Sequence, residues 1–141
     1  MFREILPFNC PPASARENKM EVFRIVKTEI PTEQDFTSYT NLYPANIRYK
    51  TLCKAFALSF YDTIQNAKIA RNEALERGNN LGSFIAQYEL NETHGASDYK
   101  PKTGHYSTWL YNSWDFKNFN PSFVKEIKWI LTININFKNS H

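Results

Sequence analysis

The chain has 141 residues, 42% hydrophobic and 16% aromatic, which is enough for one hydrophobic core and leaves no room for a second domain. Its 17 Lys and Arg against 14 Asp and Glu give a net charge of +3, a balance that does not favour specific nucleic-acid binding. Cys10 and Cys53 are the only cysteines and no stretch approaches ~18 apolar residues. We therefore expect no metal site, no disulfide framework, no membrane contact and a cytoplasmic location.

The N-terminal segment shows neither a helical nor a strand period. Three prolines interrupt its first part, and a polar run follows at 14–19. We predict an extended arm over residues 1–19 and a single domain over residues 20–141.

The domain begins with a predicted strand and a short helix. Residues 21–27 are rich in β-branched and aromatic side chains, which favours a strand. Thr32 and Asp35 have the spacing of a capping box, so a helix is expected to start there and to end before Pro44.

A second strand and the clearest helix come next. Residues 55–60 alternate large and small side chains, which predicts a strand with Ser59 on its small-residue face. Asp62 has Gln65 three positions on and is expected to cap the next helix, which Gly78 ends.

Three further strands are expected in the second half of the chain. Residues 83–90, 105–111 and 130–137 alternate apolar and polar side chains. A polar loop, 91–104, separates the first two, and residues 122–128 are expected to form a helical turn. The fold class is α+β, a single domain with a mostly antiparallel sheet of about five strands and two main helices.

Polar side chains around the fourth strand are candidate site residues. The chain lacks the GxGxxG, GxxxxGK[ST], HExxH and GxSxG signatures, which disfavours common cofactor enzymes. His105, Ser107 and Trp109 share one face of the predicted strand, where a histidine can act as a general base or bind phosphate. Tyr106 and Trp109 could stack on a base. The structural alternatives are a His105 that hydrogen-bonds a nearby loop and aromatics that only pack.

Three more polar residues lie inside predicted strands, where burial is costly unless they are paired or line a cleft. The Arg24 guanidinium suits a diphosphate or a carboxylate, and its structural alternative is an ion pair with Glu89 or Asp35. The Ser59 hydroxyl could contact a ligand or simply pack. Glu89 could orient a ribose hydroxyl or accept a proton, although exposed strand glutamates are common.

Several segments together resemble a group of short bacterial proteins with no assigned activity. In that group the last segment carries a second His and a second Trp, where this chain has Tyr106 and Leu110. The matching segments are 6–12, 23–27, 31–38, 53–60 and 104–109.

A more distant likeness is to the ADP-ribosyltransferase fold, whose first strand bears an Arg or His, whose second bears a Ser or Tyr before a helix, and whose later strand bears a Glu. Arg24, Ser59 and Glu89 occupy the corresponding places. The resemblance implies that Arg24 binds phosphate, that Ser59 lines the nicotinamide side, that Glu89 or His105 is the polar catalytic partner, and that NAD is a possible cofactor.

These residues support three functional hypotheses. The first is a nucleotide- or phosphate-binding domain resembling ADP-ribosyltransferases. The second is a non-catalytic module of a bacterial toxin or defence system that binds a protein partner through its aromatic C-terminal half. The third is a small ribonuclease that uses His105. An enzyme needs Arg24, Ser59 and either His105 or Glu89 in one cleft, whereas a binding module would scatter them and expose an apolar patch.

Overall fold

The computed structural model describes residues 1–127, and at its centre lies a six-stranded antiparallel sheet. The strands are, in chain order, β1 (Met20–Val26), β2 (Leu58–Tyr61), β3 (Phe84–Leu90), β4 (Gly95–Lys100), β5 (His105–Leu110) and β6 (Phe123–Glu126). Their order across the sheet is β4-β5-β2-β1-β3-β6. Two α-helices, α1 (Tyr39–Leu42) and α2 (Ile64–Glu76), accompany the sheet. The predicted α+β class and antiparallel sheet are confirmed, with six strands where about five were expected. No helix within the described residues is long and apolar enough to cross a membrane.

Most of the predicted strands are found near their expected positions. Residues 21–27, 83–90 and 105–111 correspond to β1, β3 and β5, with small shifts at the ends. The strand predicted at 55–60 corresponds to β2, which starts later because a 3₁₀ turn occupies the preceding residues. The predicted strand 130–137 lies outside the described residues.

Two segments were assigned wrongly from the sequence. The polar connection 91–104 contains β4, and the segment 122–128, expected to be a helical turn, contains β6. The buried part of β4 is Gly95 to Ser97, which offers little apolar alternation, so pairing with β5 defines this strand. The mostly exposed β6 is likewise defined by its pairing with β3. Pairing with a distant strand is not a local property, and periodicity therefore missed both.

The predicted capping residues are partly correct. The Asp35 carboxylate accepts a hydrogen bond from the Thr32 backbone N–H at 2.8 Å, as the capping box requires. The capped segment is only a 3₁₀ turn, and the single turn of α1 comes after it. The cap of α2 is Thr63 and not Asp62, because the Thr63 hydroxyl accepts the backbone N–H of Asn66 at 3.0 Å.

Alternate strand residues face two separate hydrophobic cores. The first core contains Val22, Val26, Phe36, Leu58, Phe60 and Tyr88. The second packs α2 on the opposite face of the sheet and contains Phe23, Ile25, Tyr61, Ala67 and Ile85. Because successive side chains of a strand alternate between faces, Ser59 lies on the same face as Tyr61, the face that α2 covers.

The N-terminal arm is fixed to the domain by a disulfide and two short bridges. Cys10 and Cys53 are bonded, with their Cα atoms 5.5 Å apart, so the expectation that the chain has no disulfide is wrong. Isolated β-bridges join Phe2 to Tyr111 and Arg16 to Ser97. The sequence separation of 43 gave no sign of the pairing, because the contact depends on the folded path of the arm.

Gly82 occupies a position where any side chain would clash with the backbone of β1. Its φ is +149°, and a Cβ added there would lie 2.3 Å from the Val26 carbonyl oxygen. Gly78, which lies just beyond the end of α2, has φ +80° but open space around it. The first glycine is therefore required by both conformation and contact, and the second by conformation alone.

Removal of the disulfide is expected to lower the free energy of unfolding by about 2–4 kcal/mol, the usual range for small domains. Urea unfolding of Cys53→Ser and wild type, each with and without a reductant, measures the loss. The double variant Cys10→Ser/Cys53→Ser should match the reduced wild type. Two reactive thiols in unreduced protein, with no effect of the reductant on stability, would contradict the crosslink.

The two glycines provide a matched pair of substitutions. Gly78→Ala is expected to cost about 1–2 kcal/mol, the strain of a left-handed backbone carrying a side chain. Gly82→Ala should cost more, because the contact with the Val26 carbonyl adds about 1–3 kcal/mol of overpacking. Chemical denaturation of both variants measures the difference, and equal losses would show that the close contact is relieved without cost.

Candidate ligand-binding cleft

A cavity of about 550 Å³ lies where β1 and β2 separate. These strands pair at a single position, Phe23 opposite Tyr61, whereas β1 pairs with β3 along its whole length. The walls come from β1, β2, the segment between them and the loop after α2. Its lining includes Arg24, Lys27, Asp35, Tyr39, Tyr43, Ser59, Tyr61 and Asn80.

Arg24 spans the gap between the two strands. Its Nε donates to the Asp35 carbonyl oxygen at 3.0 Å, its Nη2 donates to the same oxygen, and its Nη1 donates to the Ser59 carbonyl oxygen at 2.7 Å. The guanidinium carbon also lies 5.4 Å from the ring centre of Phe36 and 5.6 Å from that of Phe60. These contacts connect β1, the turn after it and β2.

The Arg24 guanidinium remains charged although it is buried. Burial lowers its pKa to about 10, and the nearby Asp35 carboxylate partly opposes the shift. Within residues 1–127, however, no carboxylate lies within ion-pair distance of this side chain. The expected structural role, an ion pair with Glu89 or Asp35, is replaced by hydrogen bonds to backbone carbonyls.

Ser59 and His105 form a hydrogen-bonded pair. The Ser59 hydroxyl lies 2.8 Å from His105 Nε2, and the imidazole packs edge-on against Tyr61 with ring centres 5.3 Å apart. Burial lowers the pKa of His105, and the positive charges of Lys100 and Lys54 lower it further. A neutral imidazole can accept the hydroxyl proton of Ser59, which is the arrangement that general-base chemistry requires.

Tyrosine rings form the outer wall of the cavity. Tyr39 and Tyr43 line both this cavity and a neighbouring one of about 790 Å³, so the two cavities adjoin at these rings. Tyr49 stacks on Tyr39 with ring centres 5.9 Å apart. The side chains of Tyr39 and Tyr43 are 42% and 55% exposed, which leaves ring surface accessible to a ligand.

Glu89 lies apart from the other candidate residues. It is opposite Glu21 in the sheet, its side chain is 64% exposed, and it forms an ion pair with Lys19 at 3.5 Å. It lines neither of the two cavities.

The three predicted ligand-binding residues of β5 also lie outside the cavities. Tyr106 packs against Tyr99 with ring centres 4.6 Å apart. Ser107 is buried opposite Ser59. Trp109 is 1% exposed and donates its indole N–H to the Cys53 carbonyl oxygen at 3.0 Å. The structure therefore connects Arg24 to Ser59 through the Ser59 carbonyl and His105 to Ser59 through the hydroxyl, but His105, like these three residues and Glu89, does not line the cavity.

Sequence reasoning missed the tyrosine wall and the lysines beside His105. Tyr39 and Tyr43 are four positions apart, which places them on one side of a helical turn and could have marked them. Lys54 and Lys100 have no local signal, because they come near His105 only in the folded chain. Within the described residues, no group of three His, Cys, Asp or Glu side chains is placed to hold a metal ion.

No family model, no curated protein and no solved structure matches the chain. The geometry of the cleft is therefore the basis for assigning a function.

Substitution of Lys100 tests whether nearby positive charge lowers the pKa of His105 in the Ser59–His105 pair. Lys100→Gln is expected to raise the pKa of His105, because one of the two ammonium charges that disfavour the imidazolium is removed. An NMR titration of the imidazole ring protons measures the change. His94 is the internal control, since burial alone lowers its pKa. A wild-type His105 that titrates at or above about 6.5, the ordinary value, would contradict the described environment.

Proposed function

We propose that the cleft binds a nucleotide or a related small ligand that combines a phosphate with an aromatic ring. The observation that carries this is a buried, charged guanidinium facing a cavity with no carboxylate paired to it within the described residues. A buried cation without a counter-ion is costly, and an anion in the cavity would offset that cost.

Arg24 keeps donor capacity for such an anion. A guanidinium has five N–H donors, and the carbonyls of Asp35 and Ser59 engage three of them. The planar arrangement of the remaining N–H groups suits two phosphate oxygens. Arg24 can thus hold the cleft together and still contact a phosphate.

The tyrosine wall supports the aromatic part of the ligand. Tyr39 and Tyr43 line both cavities, where a base could stack on an exposed ring. A cavity of about 550 Å³ falls within the range that accommodates small organic ligands. ADP-ribose and NAD carry both the phosphate and the base, and they are the candidate ligands that the ADP-ribosyltransferase likeness suggests.

We assign any catalytic role to Ser59 and His105. Their contact of 2.8 Å favours proton exchange beside the cleft, which Ser59 lines and His105 does not, and the isolated position of Glu89 favours His105 as the polar partner. A small ribonuclease that uses His105 beside a lysine stays a second, untested prediction.

One observation favours a protein partner as the alternative. The segment that includes α1 exposes Tyr43 at 55%, Ile47 at 77% and Leu52 at 45%. The buried Trp109 does not support the aromatic surface expected in the C-terminal half. A partner would instead contact the segment before β2.

The disulfide suggests a cellular compartment for the protein. Bonds such as Cys10–Cys53 persist in oxidising compartments and are rare in the cytosol. An oxidising compartment is therefore favoured over the cytoplasmic location that the sequence predicts.

Titration with inorganic phosphate, AMP, ADP-ribose and NAD tests the proposed ligand class. Calorimetry and thermal unfolding should show binding of the nucleotides, with a stabilisation of about 2.7 kcal/mol at a ligand concentration of 100 Kd. Tyr39→Ala and Ser59→Ala are expected to weaken nucleotide binding about tenfold, because each removes a ligand contact.

Phe123→Ala is the matched control, since Phe123 is 39% exposed on β6 and lines neither cavity, so this variant should leave affinity unchanged. Arg24→Lys keeps the positive charge but removes the planar set of guanidinium donors, and it is expected to weaken nucleotide binding. If Arg24→Lys does not fold, Tyr39→Ala and Ser59→Ala still test the proposal. Absence of binding by every nucleotide would refute the proposal and direct attention to a protein partner.

A further inference from the structure

The segment that carries the tyrosine wall, residues 39–52, is held mainly by local hydrogen bonds. Four of its backbone N–H groups donate to carbonyls three or four positions earlier, at 2.9 to 3.2 Å: those of Tyr43, Asn46, Tyr49 and Leu52. Most of its residues are exposed. A segment with exposed backbone hydrogen bonds and few buried side chains opens at a low cost in free energy. The position of the tyrosine wall therefore depends on the contacts at the two ends of this segment.

One end rests on the 3₁₀ turn Cys53–Phe56, which follows the segment directly. The Thr40 hydroxyl donates to the Ala55 carbonyl oxygen at 3.1 Å, so α1 is attached to this turn. The Cys53 carbonyl oxygen accepts the indole N–H of Trp109 at 3.0 Å, and the Cys53 sulfur is bonded to Cys10. A change at the disulfide can therefore reach α1 through two residues of chain and one hydrogen bond.

The N-terminal arm contacts the other end of the segment. The Ser38 hydroxyl donates to the Glu4 carboxylate at 2.8 Å and accepts the Asn41 backbone N–H at 3.4 Å, which caps α1. The Arg3 guanidinium donates to the Phe36 carbonyl oxygen at 2.5 Å. The arm thus holds the tyrosine segment at both ends, by hydrogen bonds before α1 and by the disulfide after Leu52.

The disulfide is the anchor for the middle of the arm. Within the described residues, the hydrogen bonds of residues 5–13 stay inside the arm, as when the Cys10 N–H donates to the Pro7 carbonyl oxygen at 3.1 Å. Ile5 and Phe8 are 96% and 93% exposed and do not pack on the domain. Both cysteines are only half-buried, so a reductant can reach the bond. Cleavage would leave this part of the arm with neither a crosslink nor a hydrogen bond to the described domain.

We propose that the Cys10–Cys53 bond is a redox switch for the cleft. With the bond formed, the arm fixes the turn on which α1 rests, and Tyr39 and Tyr43 are held in place for a ligand. A dithiol breaks the S–S bond by exchange: the dithiol is oxidised to a disulfide, and Cys10 and Cys53 each take up one hydrogen and become thiols. The turn is then released from the arm, and the tyrosine segment opens more often. The effect on affinity rests on the proposed nucleotide binding, whereas the effect on the tyrosine wall does not.

Hydrogen exchange at short labelling times, in oxidised protein and in protein reduced with dithiothreitol, tests the switch. Reduction is expected to speed the exchange of amides in residues 39–52 about tenfold, because these amides exchange through local opening. The amides of β3 should stay protected in both forms over the same period, because a central strand exchanges only through global unfolding.

The variant Cys10→Ser/Cys53→Ser should show the fast exchange with and without dithiothreitol. Phe8→Ala is the matched control, because it changes an exposed residue of the arm and keeps both cysteines. It should behave as the wild type does in each redox state. Unchanged exchange in residues 39–52 on reduction would overturn the switch. Loss of protection in β3 together with this segment would overturn it as well, since the bond would then support the whole fold.

Calorimetric titration with AMP and ADP-ribose in each redox state measures the effect on binding. Reduction should weaken the affinity of the wild type about tenfold, and the double cysteine variant should bind weakly in both conditions. Equal affinity of the oxidised and reduced forms, despite faster exchange, would overturn the control of binding. If neither form binds a nucleotide, the proposed ligand class is refuted, and the exchange experiment still decides whether the bond controls the tyrosine wall.

Discussion

The cleft depends on the buried guanidinium of Arg24. It extends from β1 to carbonyl oxygens of Asp35 and Ser59, where β1 and β2 no longer pair with each other. Buried carbonyls without donors and a buried cation without partners would each be costly, and their contact offsets both costs. The arginine thus spans the gap between the strands. Its hydrogen bonds to carbonyls leave the charge of the guanidinium without an ion-pair partner among the described residues, so a structural role and the proposed ligand-binding role coincide in one residue.

Local sequence patterns predicted which polar residues lie within strands, but not which of them meet. Arg24, Ser59 and Glu89 carried the same signal, a polar side chain in an alternating segment. Arg24 reaches the Ser59 carbonyl across the gap between β1 and β2. Glu89 lies on β3, which also neighbours β1, but it is opposite Glu21 at an exposed position beside Lys19. Alternation correctly placed His105 and Trp109 on one face of β5. The contact of His105 with Ser59 depends on the pairing of β2 with β5, which no local pattern specifies.

The features that sequence reasoning missed all depend on long-range contacts. The strand β4 is recognisable only through its partner, and the Cys10–Cys53 bond only through the path of the arm. The low pKa of His105 depends on the same kind of contact, because Lys54 and Lys100 come near its imidazole only in the folded chain.

Ser59 connects the cleft to His105. Its carbonyl oxygen accepts from Arg24 at the cleft, and its hydroxyl contacts the imidazole of His105 on the face of the sheet that α2 covers. Burial and the positive charges of Lys100 and Lys54 lower the pKa of His105 and so favour the neutral imidazole. A neutral imidazole can accept from the hydroxyl of Ser59, whereas a protonated imidazole can only donate to it. The direction of the Ser59–His105 hydrogen bond therefore depends on the charges around His105, while the contact of the Ser59 carbonyl with Arg24 does not.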